Sequence, residues 1–229
     1  AIDSVSNKAK IIAGTGTYST SESIEITKMA DSLGVDGIMI VTPYYSKPSQ
    51  HGILRHFEEI SKITDLPIMA YNIPGRTSTL IELETLQTLV DDIGIHSIKD
   101  AVGDFEFSKK QLELLKDKVD IYSGNDNQTY DFVINGGVGV VSVASHVVGD
   151  EISEMISFAK DNDLEKAEEI NMQLSNLFEA IFEEPSPGPI KKILSESWEE
   201  VGEPLLPITS ITPELANKIR GFYKKIKEN

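Results

Sequence analysis

The sequence predicts a parallel β/α barrel, and three observations carry that expectation. Short β-branched runs recur as far as Val143, each followed by a helical pattern. Their spacing of roughly 20–30 residues is that of βα units feeding a parallel sheet. Three junctions also superpose without gaps: Gly34-Val35-Asp36-Gly37-Ile38-Met39-Ile40, Gly94-Ile95-His96-Ser97-Ile98-Lys99-Asp100 and Gly137-Val138-Gly139-Val140-Val141-Ser142-Val143. Each opens with a glycine where a helix should end in a left-handed cap, then enters a strand.

In order, the expected strands are 11–13, 37–42, 67–72, 95–101, 119–123 and 138–143. The superposed junctions put Lys99 where Met39 and Ser142 stand. Side chains alternate along a strand, so all three should face one way, into the barrel. Beyond Val143 only helical patterns follow, at 150–161, 164–182, 188–199 and 213–227, with the prolines of 185–189 and 204–213 as breaks. The chain therefore reads as a partial barrel over 1–149 and a C-terminal helical region over 150–229. A closed barrel of this kind has eight strands. The expectation is a (β/α)8 TIM barrel lacking its first two βα units in this chain. The six runs are then strands three to eight, and residues 1–8 the tail of the second helix. An open doubly wound sheet is the alternative, although nothing in the sequence marks its switch point.

Composition narrows the function. A net charge of −16 and a pI near 4.6 repel nucleic acid and anionic lipid. The acidic residues cluster on helical patterns such as 161–169, as a solvated face requires. An acidic metabolite would need a local cation to bind here. No apolar run reaches the ~18 residues of a membrane span, and no signal peptide is visible. The chain opens on Ala1 rather than Met, which points to a processed or cut N-terminus. Cysteine is absent, excluding disulfides, a thiol nucleophile and cysteine metal ligands, and fitting a reducing, cytoplasmic location. His51, His56, His96 and His146 are scattered without metal-ligand spacing, so no metal is expected. Trp198 is read as packing.

Enzymes of this architecture carry their sites at the C-terminal ends of the strands. Gly14-Thr15-Gly16 lacks the third glycine of a dinucleotide fingerprint, since Ser19 stands there. A tight strand-to-helix turn is the better reading. Thr42-Pro43-Tyr44-Tyr45-Ser46-Lys47-Pro48 is a stiff loop with two phenols, and catalysis and packing at a subunit contact both remain open. Tyr71-Asn72-Ile73-Pro74-Gly75-Arg76-Thr77 offers a phenol able to relay a proton and a forked cation suited to a carboxylate. A solvated loop arginine is the plain alternative for Arg76. Lys99 ends a strand whose other residues are apolar or small. Strand-end lysines usually just reach solvent. A desolvated one loses its proton more easily and leaves a neutral amine that attacks carbonyls, which arginine cannot do. Gly124 and Val141 read as a close approach to ligand and a wall.

These residues meet a known pattern. IAGTG at 12–16, VTPYYSKPSQHG at 41–52, YNIPGRT at 71–77, SIKDAVGD at 97–104, YSGNDNQ at 122–128, GGVGVVSV at 136–143, FEEPSPGPIKK at 182–192 and LPITSIT at 206–212 resemble the dihydrodipicolinate synthase family of pyruvate-dependent Schiff-base aldolases. TPYY together with YNIPGRT sets the chain apart from the sialic acid lyases of the same group. The resemblance implies that Lys99 forms an imine with pyruvate, Tyr71 relays protons beside it, and Tyr45 reaches into a neighbouring subunit's site. Arg76 would hold the carboxylate of aspartate 4-semialdehyde, and Gly124 and Val141 would line the pyruvate pocket. It further implies a lyase of lysine and diaminopimelate biosynthesis that forms 4-hydroxy-tetrahydrodipicolinate, with no cofactor beyond the covalent imine. A cytoplasmic homodimer or homotetramer is implied as well.

Two departures stand out. The family's GTTGE stretch, which supplies a relay threonine, is not among residues 1–229, so the chain by itself is expected to be a poor catalyst. Tyr18 stands where lysine-inhibited members carry an asparagine, while Glu22 matches their effector glutamate. A pyruvate aldolase with another aldehyde partner and a non-catalytic truncated homologue are the competing readings. Arg76 argues against the first, and the missing GTTGE favours the second.

Overall fold

All six apolar runs form strands in the computed structural model, which describes residues 1–5 and 8–228. The elements begin with α1 (Ile2–Val5), β1 (Ile12–Gly14), α2 (Thr20–Ser32), β2 (Gly37–Val41), α3 (Gln50–Ser61) and β3 (Ile68–Asn72). Next come α4 (Pro74–Thr77), α5 (Leu83–Thr88) with a π-helical extension Leu89–Ile93, β4 (Ser97–Asp100), α6 (Phe105–Leu114) and β5 (Asp120–Ser123). A 3-10 turn (Asp126–Gln128) leads into α7 (Thr129–Ile134), β6 (Gly139–Val140), α8 (Ser145–Lys160), α9 (Leu164–Ala180), α10 (Gly188–Ser197) and α11 (Pro213–Lys227). Of the segment expected as a helix tail, Ser6 and Asn7 lie outside the described residues. The strand order is sequential, β1 to β6. A doubly wound sheet needs a reversal of order, so that alternative does not hold.

The chain divides into two units, residues 1–124 with 135–138, and residues 125–134 with 139–229. In the first, β1 to β5 pair in parallel. Its helices start where side chains take the free N–H groups of the first turn. Ser19 accepts from Glu22, Ser49 from Gly52, and Asp104 from Glu106 and Phe107. The strand faces part sharply. Ile38, Ile40, Ala70 and Ile98 are fully buried, as are Ile53, Phe57 and Ile60 of α3 and Leu86 and Leu89 beyond it. On the opposite face Met39, Val41, Tyr71, Ser97, Lys99 and Tyr122 are half-buried.

Register refines two expectations. Lys99 does share a face with Met39, but Met39 pairs with Met69, which pairs with Ser97. Lys99 lies one rung further along, in the row Val41–Tyr71–Lys99–Tyr122. Gly34 and Gly94 have φ of +78° and +80°, as left-handed helix ends require. At the third junction the left-handed residue is Gly136, with φ +102°, and not Gly137. The third repeat is therefore out of step with the other two by one residue.

The second unit is built on α8 to α11, with Leu174, Leu177, Phe178, Ile190, Ile193, Leu215 and Ile219 in one buried cluster. The expected break at 149/150 does not coincide with its edge. Val133 of α7 packs with Ala159 and Ala167, so α7 belongs with the later helices. The strand expected over 138–143 shrinks to two residues. Asp126 takes the N–H groups of Val143 and Ala144, each at 3.2 Å, together with the Ser142 hydroxyl, and this draws the chain away from a ladder. α8 starts at Ser145, ahead of the expected 150, and holds a non-helical Val148. Trp198 is not packing: it follows the last residue of α10 and is 71% exposed. Among the described residues no helix is long and apolar enough to cross a membrane.

Candidate active site

The ladder itself brings the two strongest candidates together. Tyr71 of β3 and Lys99 of β4 are direct partners in register, on strands that lie about 4.8 Å apart by the geometry of a sheet. The Lys99 Nζ sits over the Tyr71 ring, 4.1 Å from its centroid. Gly124, just beyond β5, makes room for the lysine stem. A Cβ there would lie 3.1 Å from Lys99 Cε, 3.0 Å from the Asp100 carbonyl oxygen and 2.8 Å from Ala101 Cβ. The Gly124 N–H donates to that same carbonyl at 2.6 Å, so the backbone is held close.

Arg76 follows within one turn of the end of β3. Pro74 opens α4, a position where its missing N–H costs nothing, and Ser78 ends it in the left-handed region at φ +56°. The exposed Arg76 borders a cavity of about 370 Å³ with Gly14, Gly16, Val41, Tyr44 and Tyr71. Gly16 is needed there because a Cβ would stand 2.5 Å from the Val41 nitrogen. The Gly14-Thr15-Gly16 segment thus runs on close against β2, with the Thr15 N–H donating to the Met39 carbonyl at 3.0 Å, where a tight turn was expected. Burial raises the Tyr71 phenol above its ordinary pKa, and the Arg76 charge works in the opposite direction. The phenol therefore stays protonated at neutral pH and can donate.

The two adjacent tyrosines part company. Tyr44 lines the cavity and meets Tyr18 edge-on, ring centroids 5.7 Å apart. Tyr45 is 91% exposed and held at φ +69°, a conformation costly for a bulky residue. Val141 lies in the second unit, half-buried just beyond β6. Lys99, Tyr71 and Gly124 are thus brought into contact, and Arg76 shares a cavity with Tyr71. Tyr45 is not among the residues that line that cavity. Among the described residues no group of acidic or histidine side chains is arranged to hold a metal.

Sequence reasoning missed a set of buried polar residues just after the row that carries Lys99. Thr42, Asn72, Asp100 and Ser123 each follow a member of that row and are at most 1% exposed. Thr42 donates to the Tyr71 carbonyl at 3.2 Å, and Asn72 pairs with the backbone of Ile81. Asp100 accepts from the Val102 N–H at 2.8 Å and from Gln111 at 3.2 Å. Burial pushes its pKa up to about 6, against the pull of the Val102 N–H. The available signal was a polar residue following a barrel-facing one at each strand end. His56 was noted only as no metal ligand. It is buried, bonds Thr20 at 2.9 Å, and has its pKa lowered to about 4 by desolvation.

A match to the dihydrodipicolinate synthetase family profile runs over residues 1–226. The chain belongs to that family. A 4-hydroxy-tetrahydrodipicolinate synthase of Desulforudis audaxviator is 41% identical over 224 residues, covering 98% of this chain and 76% of the relative. The crystal structure of the chloride-inhibited dihydrodipicolinate synthase of Acinetobacter baumannii, complexed with pyruvate, superposes with a TM-score of 0.95 at 34% identity, covering 99% of this chain and 78% of that one. The Cyanidioschyzon merolae enzyme with lysine bound gives a TM-score of 0.94 at 38% identity, with coverage of 99% and 78%. Family membership agrees with the architecture, an α/β fold whose six strands form a parallel half-barrel.

Proposed function

We propose that the chain condenses pyruvate with L-aspartate 4-semialdehyde to 4-hydroxy-tetrahydrodipicolinate, through a Schiff base on Lys99. The observation that carries this reading is an amine and a half-buried phenol on adjacent strands at one register, 4.1 Å from Nζ to ring centroid. The names of the relatives support the substrates, and one solved relative is a pyruvate complex.

The steps balance as follows. Neutral Lys99 Nζ adds to C2 of pyruvate, and the carbinolamine loses water to form the imine, with Tyr71 donating the proton to the departing hydroxyl. Loss of a C3 proton gives an enamine, whose C3 attacks the aldehyde carbon of the semialdehyde. The resulting alkoxide takes up a proton and remains as the 4-hydroxyl. The semialdehyde's own amine then attacks the imine carbon, closes a six-membered ring and displaces Lys99 Nζ. One water is released overall. Arg76 holds the semialdehyde carboxylate in a forked pair. Gly124 leaves room beside Lys99 for the pyruvate, and no cofactor is used beyond the imine.

On this reading the six strands correspond to strands three to eight of an eight-stranded barrel, with α8 to α11 leading into a C-terminal helical extension. Tyr45 completes the proton relay in a neighbouring subunit of a cytoplasmic homodimer or homotetramer. Its exposure in a strained backbone supports that role. The deciding experiment is borohydride trapping with pyruvate, followed by peptide mapping. One reduced adduct on Lys99, absent from Lys99→Arg, is expected; an adduct on another lysine sinks the assignment.

A further inference from the structure

The loop that carries Arg76 leaves β3 at Asn72 and re-enters a helix only at Leu83. Its closing segment, Leu80-Ile81-Glu82, has no regular structure, yet Ile81 is fully buried. Buried backbone without a ladder must find other hydrogen-bond partners. Here two side-chain amides supply four of them, and the Glu82 carbonyl accepts from the Leu86 N–H at 2.9 Å. Asn72 of β3 donates to the Ile81 carbonyl and accepts from the Ile81 N–H, both at 3.0 Å. Gln50, the first residue of α3, donates to the Leu80 carbonyl at 2.8 Å and accepts from the Glu82 N–H at 3.1 Å.

Gln50 differs from Asn72 in what it joins. It lies at the far end of the loop that presents Tyr44 and Tyr45, and the Ser49 cap on the Gly52 N–H fixes the helix turn it stands on. Nearer Arg76, the Thr77 hydroxyl accepts from the Thr79 N–H at 3.3 Å and has the Ile73 and Thr79 carbonyls at 3.1 and 3.0 Å to share its one proton, so the short segment between Arg76 and the clamp is braced internally. Tyr44 and Arg76 border the same cavity, one from each loop.

We propose that Gln50 is a positioning residue for recognition of the aspartate semialdehyde carboxylate. By clamping residues 80–82 to the start of α3, it holds the Arg76 guanidinium over the cavity at a set distance from Tyr44. Gln50 touches no substrate; it acts through Arg76, and the proposal rests on the role given to Arg76 above. Its hydrogen bonds run to the backbone of Leu80 and Glu82, so imine formation at Lys99 should not depend on it.

The test uses the full-length enzyme with three variants. Gln50→Met removes both hydrogen bonds at nearly constant length, Gln50→Glu keeps only the acceptor, and Arg76→Ala is the reference. Gln50→Met should raise the KM for aspartate semialdehyde about tenfold, the order expected when a binding group drifts from its working position. The pyruvate KM and the yield of borohydride-trapped adduct should stay at wild-type values, and Gln50→Glu should fall in between. In an Arg76→Ala background, Gln50→Met should add nothing further to that KM. A normal semialdehyde KM in Arg76→Ala overturns the role of Arg76, and the proposal falls with it. A raised KM there with none in Gln50→Met overturns the proposal alone. So does a Gln50→Met enzyme in which both KM values and the adduct yield change together, since that is general loosening of the fold.

Discussion

Replacing Gly124 with alanine adds one methyl group at the point where the Lys99 stem passes. That carbon would meet Ala101 Cβ at 2.8 Å, the Asp100 carbonyl oxygen at 3.0 Å and Lys99 Cε at 3.1 Å. Two of the three neighbours are backbone or a rigid methyl, and the 2.6 Å bond from the Gly124 N–H to Asp100 prevents the loop from backing away. The lysine stem is the part able to give, and it must yield by a few tenths of an ångström. Overpacking of this kind costs about 1–3 kcal/mol, offset by up to ~1 kcal/mol from a stiffer unfolded chain. A net loss of about 1–2 kcal/mol corresponds to a fall in Tm of roughly 2–8 °C for a protein of this size. The functional effect should be larger. An amine shifted from its attack position loses on the order of tenfold in the rate of imine formation, while the pKa and reach of the Tyr71 phenol are untouched. The assay is the rate of borohydride-trapped adduct against pyruvate concentration, with Tm measured on the same sample. An unchanged trapping rate with an equal or higher Tm would refute the argument that Gly124 is there to clear a path for Lys99.

Two groups make stability depend on pH in opposite senses. Asp100 titrates near 6 when folded, well above its ordinary 3.8. Its stabilising contribution is therefore present below about pH 4 and lost as the pH rises through 6. Asp100→Asn should raise stability at pH 7.5 by on the order of 2–3 kcal/mol, read as a higher Tm than wild type, and leave it unchanged at pH 4; the same Tm difference from wild type at both pH values would count against a buried carboxylate. His56, held near 4, contributes stability above its ordinary 6.5 that is lost as pH falls toward 4. Thermal melts of His56→Asn between pH 4 and 7 should show a shallower acid loss than wild type. Finally, added lysine should inhibit weakly, since Tyr18 replaces a small amide and its ring leans on Tyr44; Tyr18→Asn should gain sensitivity. Initial rates against lysine concentration test this, and steep inhibition of the wild-type enzyme would contradict it.

The strands were legible because a buried sheet needs apolar residues in short runs, and a glycine marks where the preceding helix must turn back. Lys99 was legible for the complementary reason that a cation inside such a run is out of place. Other features were not. The adjacent glycines 136 and 137 offer the same freedom, and no rule of composition says which one takes the positive φ. Thr42, Asn72, Asp100 and Ser123 read as solvent-facing under simple alternation, because the face turned to the helices looks polar only at its last residue. Gln50 is harder still. Its partners are the Leu80 carbonyl and the Glu82 N–H, groups every residue but proline carries, so no pairing of residue types announces the contact. Trp198 misled through size: a large aromatic favours burial on average, but this one follows the end of α10 and stays in water.

The pairing of Tyr71 with Lys99 across one ladder has a consequence for how the protein can change. Their separation is set by the backbone and not by any side-chain contact that drift could erode. A slip of β4 by one residue would turn Lys99 into the apolar layer that Ile98 occupies and bring Asp100 to the open face, because alternation moves every side chain at once. No half-shifted state keeps the amine near the phenol. The same alignment that lets the sheet bury its isoleucines thus aligns the strand positions of the reacting groups, and a register shift cannot spoil one while keeping the other. Helix faces and loops that carry neither Arg76 nor its supports are free to diverge in charge and length while the amine and the phenol stay aligned.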